Sequence, residues 1–232
     1  MDGTGLLFYR QIPLLATRYR VVTYALRDDA ESMDELVDDL AHLIGRVAPD
    51  GTPAVVVGES FGGALAMSLA LKYPERVARL VVLNSFARFL PQLRLGIALL
   101  GIRLMPWGAM PLVRRLTSFR LHSPHTHAHE TRLFLSLTRN TTRAGYLGRL
   151  AILRRYDLRE RLRDIGVPTL CLAADRDNLV PSVREATFMA ARVPNATLRV
   201  LRGHGHVCLI APGVDLAALL AEWEAATSAG EG

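Results

Sequence analysis

Ser60 is the group in this 232-residue chain best placed to act as a nucleophile, in the run AVVVGESFGG from Ala54 to Gly63. A β-branched stretch, Val55 to Val57, precedes it and an Ala/Leu-rich stretch follows. That pattern predicts a buried strand turning sharply into a helix, with Ser60 at the apex. Glycines let the backbone turn and leave the approach to the hydroxyl open. The N–H of Phe61, at the start of the helix, would face the same space, where a backbone donor stabilises an oxyanion. G-x-S-x-G alone is a loose pattern. Serine chemistry also needs a base for the hydroxyl proton and a carboxylate to fix the tautomer of that base.

Both follow, in the order Ser, Asp, His. The apolar run Thr169 to Ala174 ends in Asp175-Arg176-Asp177, and the alternating run Ala196 to Leu201 leads to Gly203-His204-Gly205-His206. Each candidate stands just past the C-terminal end of an expected strand, where the loops of an open parallel α/β sheet converge. Asp175 and Asp177 lie two residues apart, as do His204 and His206. In extended chain such neighbours point the same way, so spacing alone leaves both pairs open.

The segments DGTG at the start, GESFGG, YPERVARLVVLNS, DNLVP and GHVCL resemble the α/β-hydrolase family over nearly the whole length. The resemblance implies a mostly parallel sheet flanked by helices, with an inserted helical lid, and a serine hydrolase that needs no cofactor and no metal. It implies Asp177, in its D-x-x-V-P setting, as the acid and His206, which follows a glycine, as the base. Asp175 would then be a turn-forming acid that caps its loop, His204 a loop histidine bonded to backbone, and Glu59 the variable residue of the elbow. The family's second oxyanion N–H falls at Met1. In the family a strand ending in His-Gly or Pro-Gly precedes the loop that begins here with Met1-Asp2-Gly3-Thr4-Gly5, so the N-terminal strands are expected to be truncated. Epoxide hydrolase and haloalkane dehalogenase chemistry is disfavoured, because those enzymes carry a carboxylate at the position of Ser60.

The elements that must carry these residues read in order. Tyr19 to Leu26 alternates like a strand, Ser32 to Val47 has helical periodicity, and Leu80 to Leu83 is the strand after the nucleophile helix. Helices are expected over Val183 to Ala191 and Val214 to Ala226. The acidic residues Asp34, Glu35, Asp38 and Asp39 read as a solvated helix face. Residues 1–85 and 164–232 form the expected hydrolase core. Residues 86–163 show apolar helical runs broken by Pro91, Pro106, Pro111 and Pro124, the expected lid. Leu95 to Val113 is too short, and too interrupted by Arg103 and two prolines, to be a membrane span. Met105, Trp107 and Met110 could line an acyl pocket or simply pack the lid.

Charge divides the chain. Residues 86–163 carry 15 arginines against three acids (Glu130, Asp157 and Glu160), a net +12, while the remainder is −6. Lys72 is the single lysine, which points to arginine-rich coding, yet such a bias does not explain the asymmetry. A cationic lid would attract an acidic carrier protein or an anionic membrane surface. Nucleic acid is not expected, since no aromatic interleaving or reading motif accompanies the charge. His122, His125, His127 and His129, followed by Glu130, raise a metal site; Pro124 and the lack of nearby cysteine favour a surface turn. Cys171 and Cys208 make no disulfide framework, and Met1 leads into a glycine-rich loop with no secretory leader, so a cytoplasmic setting is expected.

The expected activity is hydrolysis of carboxylic esters of small to medium acyl chain through an acyl-enzyme. The alternatives are a thioesterase or acyltransferase acting on a carrier-linked acyl group, or a silent binding protein on the same scaffold.

Overall fold

Four short apolar runs lie side by side as one parallel sheet in the computed structural model, which describes residues 3–89, 92–118, 121–124 and 126–228. They are β1 (Ala54–Glu59), β2 (Val77–Leu83), β3 (Thr169–Ala174) and β4 (Ala196–Leu201), in the spatial order β1-β2-β3-β4. The register sets Glu59 beside Leu83, Leu83 beside Leu172 and Ala174 beside Leu201. All four chains therefore leave the sheet at the same edge, and that edge carries Ser60, Asn84, Asp175 to Asp177 and the histidine loop.

Alternation sorts the strand side chains between two cores. Leu80, Val82, Cys171 and Ala173 face one layer of helices: α2 (Met33–Val47), α3 (Phe61–Lys72) and α8 (Ser182–Ala190). Val81, Leu83, Leu170 and Leu172 face the other, where α1 (Ile12–Leu15) meets α9 (Leu216–Ser228) and Trp223 is buried. Burial on both faces is why β2 and β3 read as continuous apolar runs. Helix α3 is buried nearly all round, against β1, β2 and α2.

Helix α2 begins where Ser32 accepts a hydrogen bond from the Glu35 N–H, an N-cap that the Ser-x-x-Glu spacing encodes. Its acidic residues are not merely solvated. Arg27 pairs with Glu35 at 2.6 Å and Asp39 at 3.1 Å, and Lys72 with Asp38 at 2.6 Å.

One element differs from expectation. Tyr19 to Leu26 is not a strand. Leu26 N–H bonds the Gly3 carbonyl at 2.7 Å, and β1 is the edge of the four-stranded sheet, so the segment joins no ladder among the described residues. Alternation supplies a face, but a strand exists only when a neighbour takes its hydrogen bonds.

Between β2 and β3 the described chain is helical: α4 (Gln92–Leu104), α5 (Met110–Ser118), α6 (Ala128–Leu137) and α7 (Arg143–Arg155). No single helix among the described residues is long and apolar enough to cross a membrane.

Candidate active site

The turn from β1 into α3 holds Ser60 at φ 57°, ψ −116°; among the described residues only Asn84 (φ 45°) shares a positive φ without being glycine. Such a conformation costs about 1–3 kcal/mol and persists where its surroundings overdetermine it. They do so here. Ser60 N–H donates to the Leu83 carbonyl at 2.9 Å, and the Ser60 carbonyl accepts from Gly63 N–H, Ala64 N–H and, at 2.7 Å, the Ser85 hydroxyl. A Cβ on Gly58 would stand 2.2 Å from the Gly62 carbonyl oxygen, and one on Gly63 would stand 2.6 Å from the Ser85 Cβ. Gly62 faces open space. Gly58 and Gly63 thus permit the close packing, whereas Gly62 leaves room above the turn. Phe61, itself buried, opens α3, so its N–H has no carbonyl one turn behind to bond within the helix.

Asp177 and His206 meet beside this edge. His206 Nδ1 lies 2.7 Å from Asp177 Oδ2, with both side chains nearly inaccessible to water. Asp177 Oδ1 also accepts the N–H groups of Leu179 (2.8 Å) and Val180 (3.0 Å), and the Ser182 hydroxyl donates to Oδ2. Burial alone would raise the pKa of this carboxyl. The hydrogen bond and charge of His206, with the Ser182 and Val180 donors, outweigh burial and hold it below the usual aspartate value. An imidazole that donates Nδ1–H to a carboxylate presents Nε2 as an acceptor, the tautomer that can take a hydroxyl proton.

The neighbouring candidates are occupied elsewhere. Asp175 Oδ1 accepts the Gly203 N–H at 2.6 Å and closes the turn before the histidine loop. His204 Nδ1 lies 3.2 Å from the Ser123 hydroxyl, and that oxygen also accepts the Gly205 N–H at 3.0 Å. His204 therefore contacts a side chain of the insertion. Met1 lies outside the described residues. Glu59 is half-buried, and its charge, second to burial, drives the Cys208 thiol far above its ordinary value. Burial lifts Cys171 to about 12, so neither thiol is reactive.

Two residues that the sequence reading passed over organise the site. Asn84 follows β2. Its Nδ2 donates to the His206 carbonyl at 2.7 Å, its Oδ1 accepts the Ala174 N–H at 2.7 Å, and its own N–H reaches the Leu172 carbonyl. One buried side chain thereby joins the ends of β2 and β3 to the histidine loop. Ser182, at the start of α8, orients Asp177. The available signal was position: Asn84-Ser85 ends the strand next to the elbow, and Ser182 directly follows D-x-x-V-P.

The insertion docks on the same loop. Val207 N–H bonds the Leu121 carbonyl at 2.8 Å, and a Cβ on Gly205 would come within 2.5 Å of the His122 carbonyl oxygen. A cavity of about 390 Å³ lies there, lined by Ser118, His122, Ser123 and Thr131 together with Arg176 and Asn178 on either side of Asp177. Met105, Trp107 and Met110 do not line it. Trp107 packs against Tyr146 and the Arg114 guanidinium, and Met110 is buried.

In the histidine-rich stretch, His122 and His127 have other partners. His122 packs edge-on to Phe134 at 4.8 Å, and burial holds its imidazole below the ordinary value. His127 and Glu130 form the capping box of α6, and the Glu130 carboxylate pairs with Arg10 at 2.7 Å. His125 lies outside the described residues. No group of three or more potential metal ligands occurs among the described residues.

Comparison with known proteins places these features in context. The sequence model of the alpha/beta hydrolase family matches residues 3–219. A putative carbamate hydrolase RutD of Azorhizobium caulinodans is 34% identical over 211 residues, covering 84% of this chain and 78% of the relative. The protein of the same name from Serratia proteamaculans is 28% identical over 236 residues, covering 96% and 87%. Among solved structures, a hydrolase from Pseudomonas aeruginosa aligns at TM-score 0.81 and 23% identity, covering 98% of this chain and 85% of its own. A thermophilic esterase from Thermogutta terrifontis aligns at TM-score 0.80 and 22% identity, covering 95% and 85%. At such identities the structural likeness speaks for the fold.

Proposed function

The chain belongs to the alpha/beta hydrolase family, and on that premise we propose that it is a serine hydrolase of carboxylic esters with small to medium acyl chains. The observation that carries the reading is the 2.7 Å contact between His206 Nδ1 and Asp177 Oδ2, at the sheet edge where a serine is held at φ 57° on a strand–helix turn.

The chemistry follows from those positions. Ser60 Oγ attacks the carbonyl carbon while His206 Nε2 takes its proton, and Asp177 stabilises the imidazolium. The carbonyl oxygen becomes an oxyanion facing the Phe61 N–H, aided by the positive end of α3. Collapse breaks the bond to the leaving alcohol, which receives the proton from His206. Water then attacks the acyl-Ser60 carbonyl, gives a proton to His206, and releases the acid as Ser60 recovers its hydrogen. Residues 86–163 act as the lid over this edge.

A second reading has its own support. Relatives at 28% and 34% identity are named putative carbamate hydrolases, and a carbamate carbonyl is open to the same serine attack. The two differ on the acyl side, where an ester carbonyl bears carbon and a carbamate carbonyl bears nitrogen, whose lone pair makes it less electrophilic. Labelling with a fluorophosphonate probe followed by peptide mapping tests the shared premise: the label should sit on Ser60 and be lost in Ser60→Ala. That substitution should lower p-nitrophenyl butyrate turnover by about 10⁴-fold or more with the fold intact. Turnover that survives it removes Ser60 from the reaction. Comparing kcat/KM for p-nitrophenyl butyrate and an N-alkyl carbamate of the same chain length separates the two readings.

A further inference from the structure

Helix α4 is apolar on both sides. Its inner stripe, Leu95, Leu99 and Ile102, packs into the main core and against α7. Its outer stripe, Leu93, Ile97, Leu100 and Leu104, follows the i, i+4, i+7, i+11 spacing of a single helix face and is 59–76% exposed. Helix α5 continues the pattern with Leu112, Val113 and Leu116, 37–61% exposed. A helix apolar all round is normally covered on every side, and soluble surfaces rarely leave large aliphatic patches bare. The two helices meet at 113°, and neither is long enough to span a bilayer. Bent in this way, the pair can lie along a surface with both outer stripes facing it.

Charge identifies the surface. No acidic residue occurs between Ser85 and His129, a stretch that holds Arg88, Arg94, Arg103, Arg114, Arg115 and Arg120. Arg103 and Arg115 are exposed, each three residues from an outer leucine (Leu100 and Leu112), and neither pairs with a carboxylate among the described residues. The frame is held in place: Arg143 donates to the Ile102 carbonyl at 3.1 Å and to that of Arg103, closing the end of α4, and Arg114 donates to the Thr138 carbonyl.

We propose that the outer face of α4 and α5 is a docking surface for an anionic lipid bilayer, with the leucines and Ile97 entering the acyl boundary and the arginines meeting headgroup phosphates. Aliphatic side chains bordered by cations match the layering of a lipid surface. A second copy fits poorly, because joining two such faces would bring two insertions of net +12 together. An acidic protein would satisfy the arginines but not this aliphatic centre. The inference is independent of the hydrolase chemistry, since adsorption can be read without turnover.

The test is flotation of the full chain with vesicles of pure phosphatidylcholine or of phosphatidylcholine containing phosphatidylglycerol. The expected result is at least about tenfold tighter partition to the anionic vesicles, weakening as salt is raised from low to physiological ionic strength. Leu100→Gln with Leu104→Gln should abolish the binding, and Arg103→Gln with Arg115→Gln should remove the anionic preference. Turnover of p-nitrophenyl butyrate, or circular dichroism if the chain proves inactive, reports that the variants remain folded. Absence of vesicle binding, or binding indifferent to both double variants, overturns the proposal. So does sedimentation showing a dimer that the leucine variants dissociate, which would assign the face to a second copy.

Discussion

The C-terminal edge of the sheet and the outer face of the helical insertion solve opposite problems. At the edge, each group that matters is held from several directions. Asp177 accepts four hydrogen bonds, Asn84 joins two strand ends to the His206 carbonyl, and Ser60 is tied to Leu83 and Ser85. On the outer face of α4 and α5, large aliphatic side chains stand in solvent among arginines. A buried polar network costs much if any member loses its partner, so it enforces one geometry before substrate arrives. An exposed apolar face enforces nothing on the fold, and its role is set by what comes to cover it.

That contrast is broken or sharpened first at the paired candidates. His206→Ala and Asp177→Asn should each lower kcat/KM for p-nitrophenyl butyrate by about 10⁴-fold. His204→Ala and Asp175→Asn, two residues away but bonded to Ser123 and Gly203, should stay within about tenfold. Equal losses in both pairs would mean that the edge acts as a whole loop and not through two side chains.

The next effect is on stability. Asn84→Ala leaves the Ala174 N–H and the His206 carbonyl unpaired and puts alanine at φ 45°, a loss of about 3 kcal/mol. In a chain of this size a thermal melt should fall by about 6–12 °C. Leu100→Gln, on the exposed face, should change stability by no more than about 0.5 kcal/mol. A large loss from Leu100→Gln would show that the outer face is part of the core after all.

The smallest effect concerns pH. The Asp177 carboxyl is held below its ordinary value of 3.8, so the folded state binds that proton less readily than the unfolded chain does. Its contribution is complete above 3.8 and is lost as pH falls through the lower folded value. Melting temperatures between about pH 5 and pH 3 should therefore decline less steeply in Asp177→Asn than in the parent. Identical slopes would remove the Asp177–His206 pair from the acid sensitivity of the fold.

Much of the fold was legible because its signals are local. The apolar runs ending at Glu59, Leu83 and Ala174 and the Ser32 cap each announce an element from its own residues. Tyr19 to Leu26 carries an equally clear alternation and is not a strand, because pairing belongs to the neighbour as much as to the segment. Local signals leave detail in the elbow undecided too. The G-x-S-x-G pattern points to Gly62, yet Gly63 is the residue whose Cβ would strike Ser85.

The order of residue types along the chain determined that a serine, an acid and a histidine would reach one sheet edge, since parallel strands deliver the loops that follow them to the same side. It also determined the arginine-rich insertion, which is a matter of composition. Sequence could not choose between Asp175 and Asp177, or between His204 and His206, from spacing alone. Residues two apart share a direction only while the chain stays extended, and here neither pair lies in a strand. The fold decided by supplying partners: Gly203 for Asp175, Ser123 for His204, and Leu179, Val180 and Ser182 for the carboxylate that faces His206. Those partners lie as far as 81 residues away in sequence, and only packing brings them within hydrogen-bond reach.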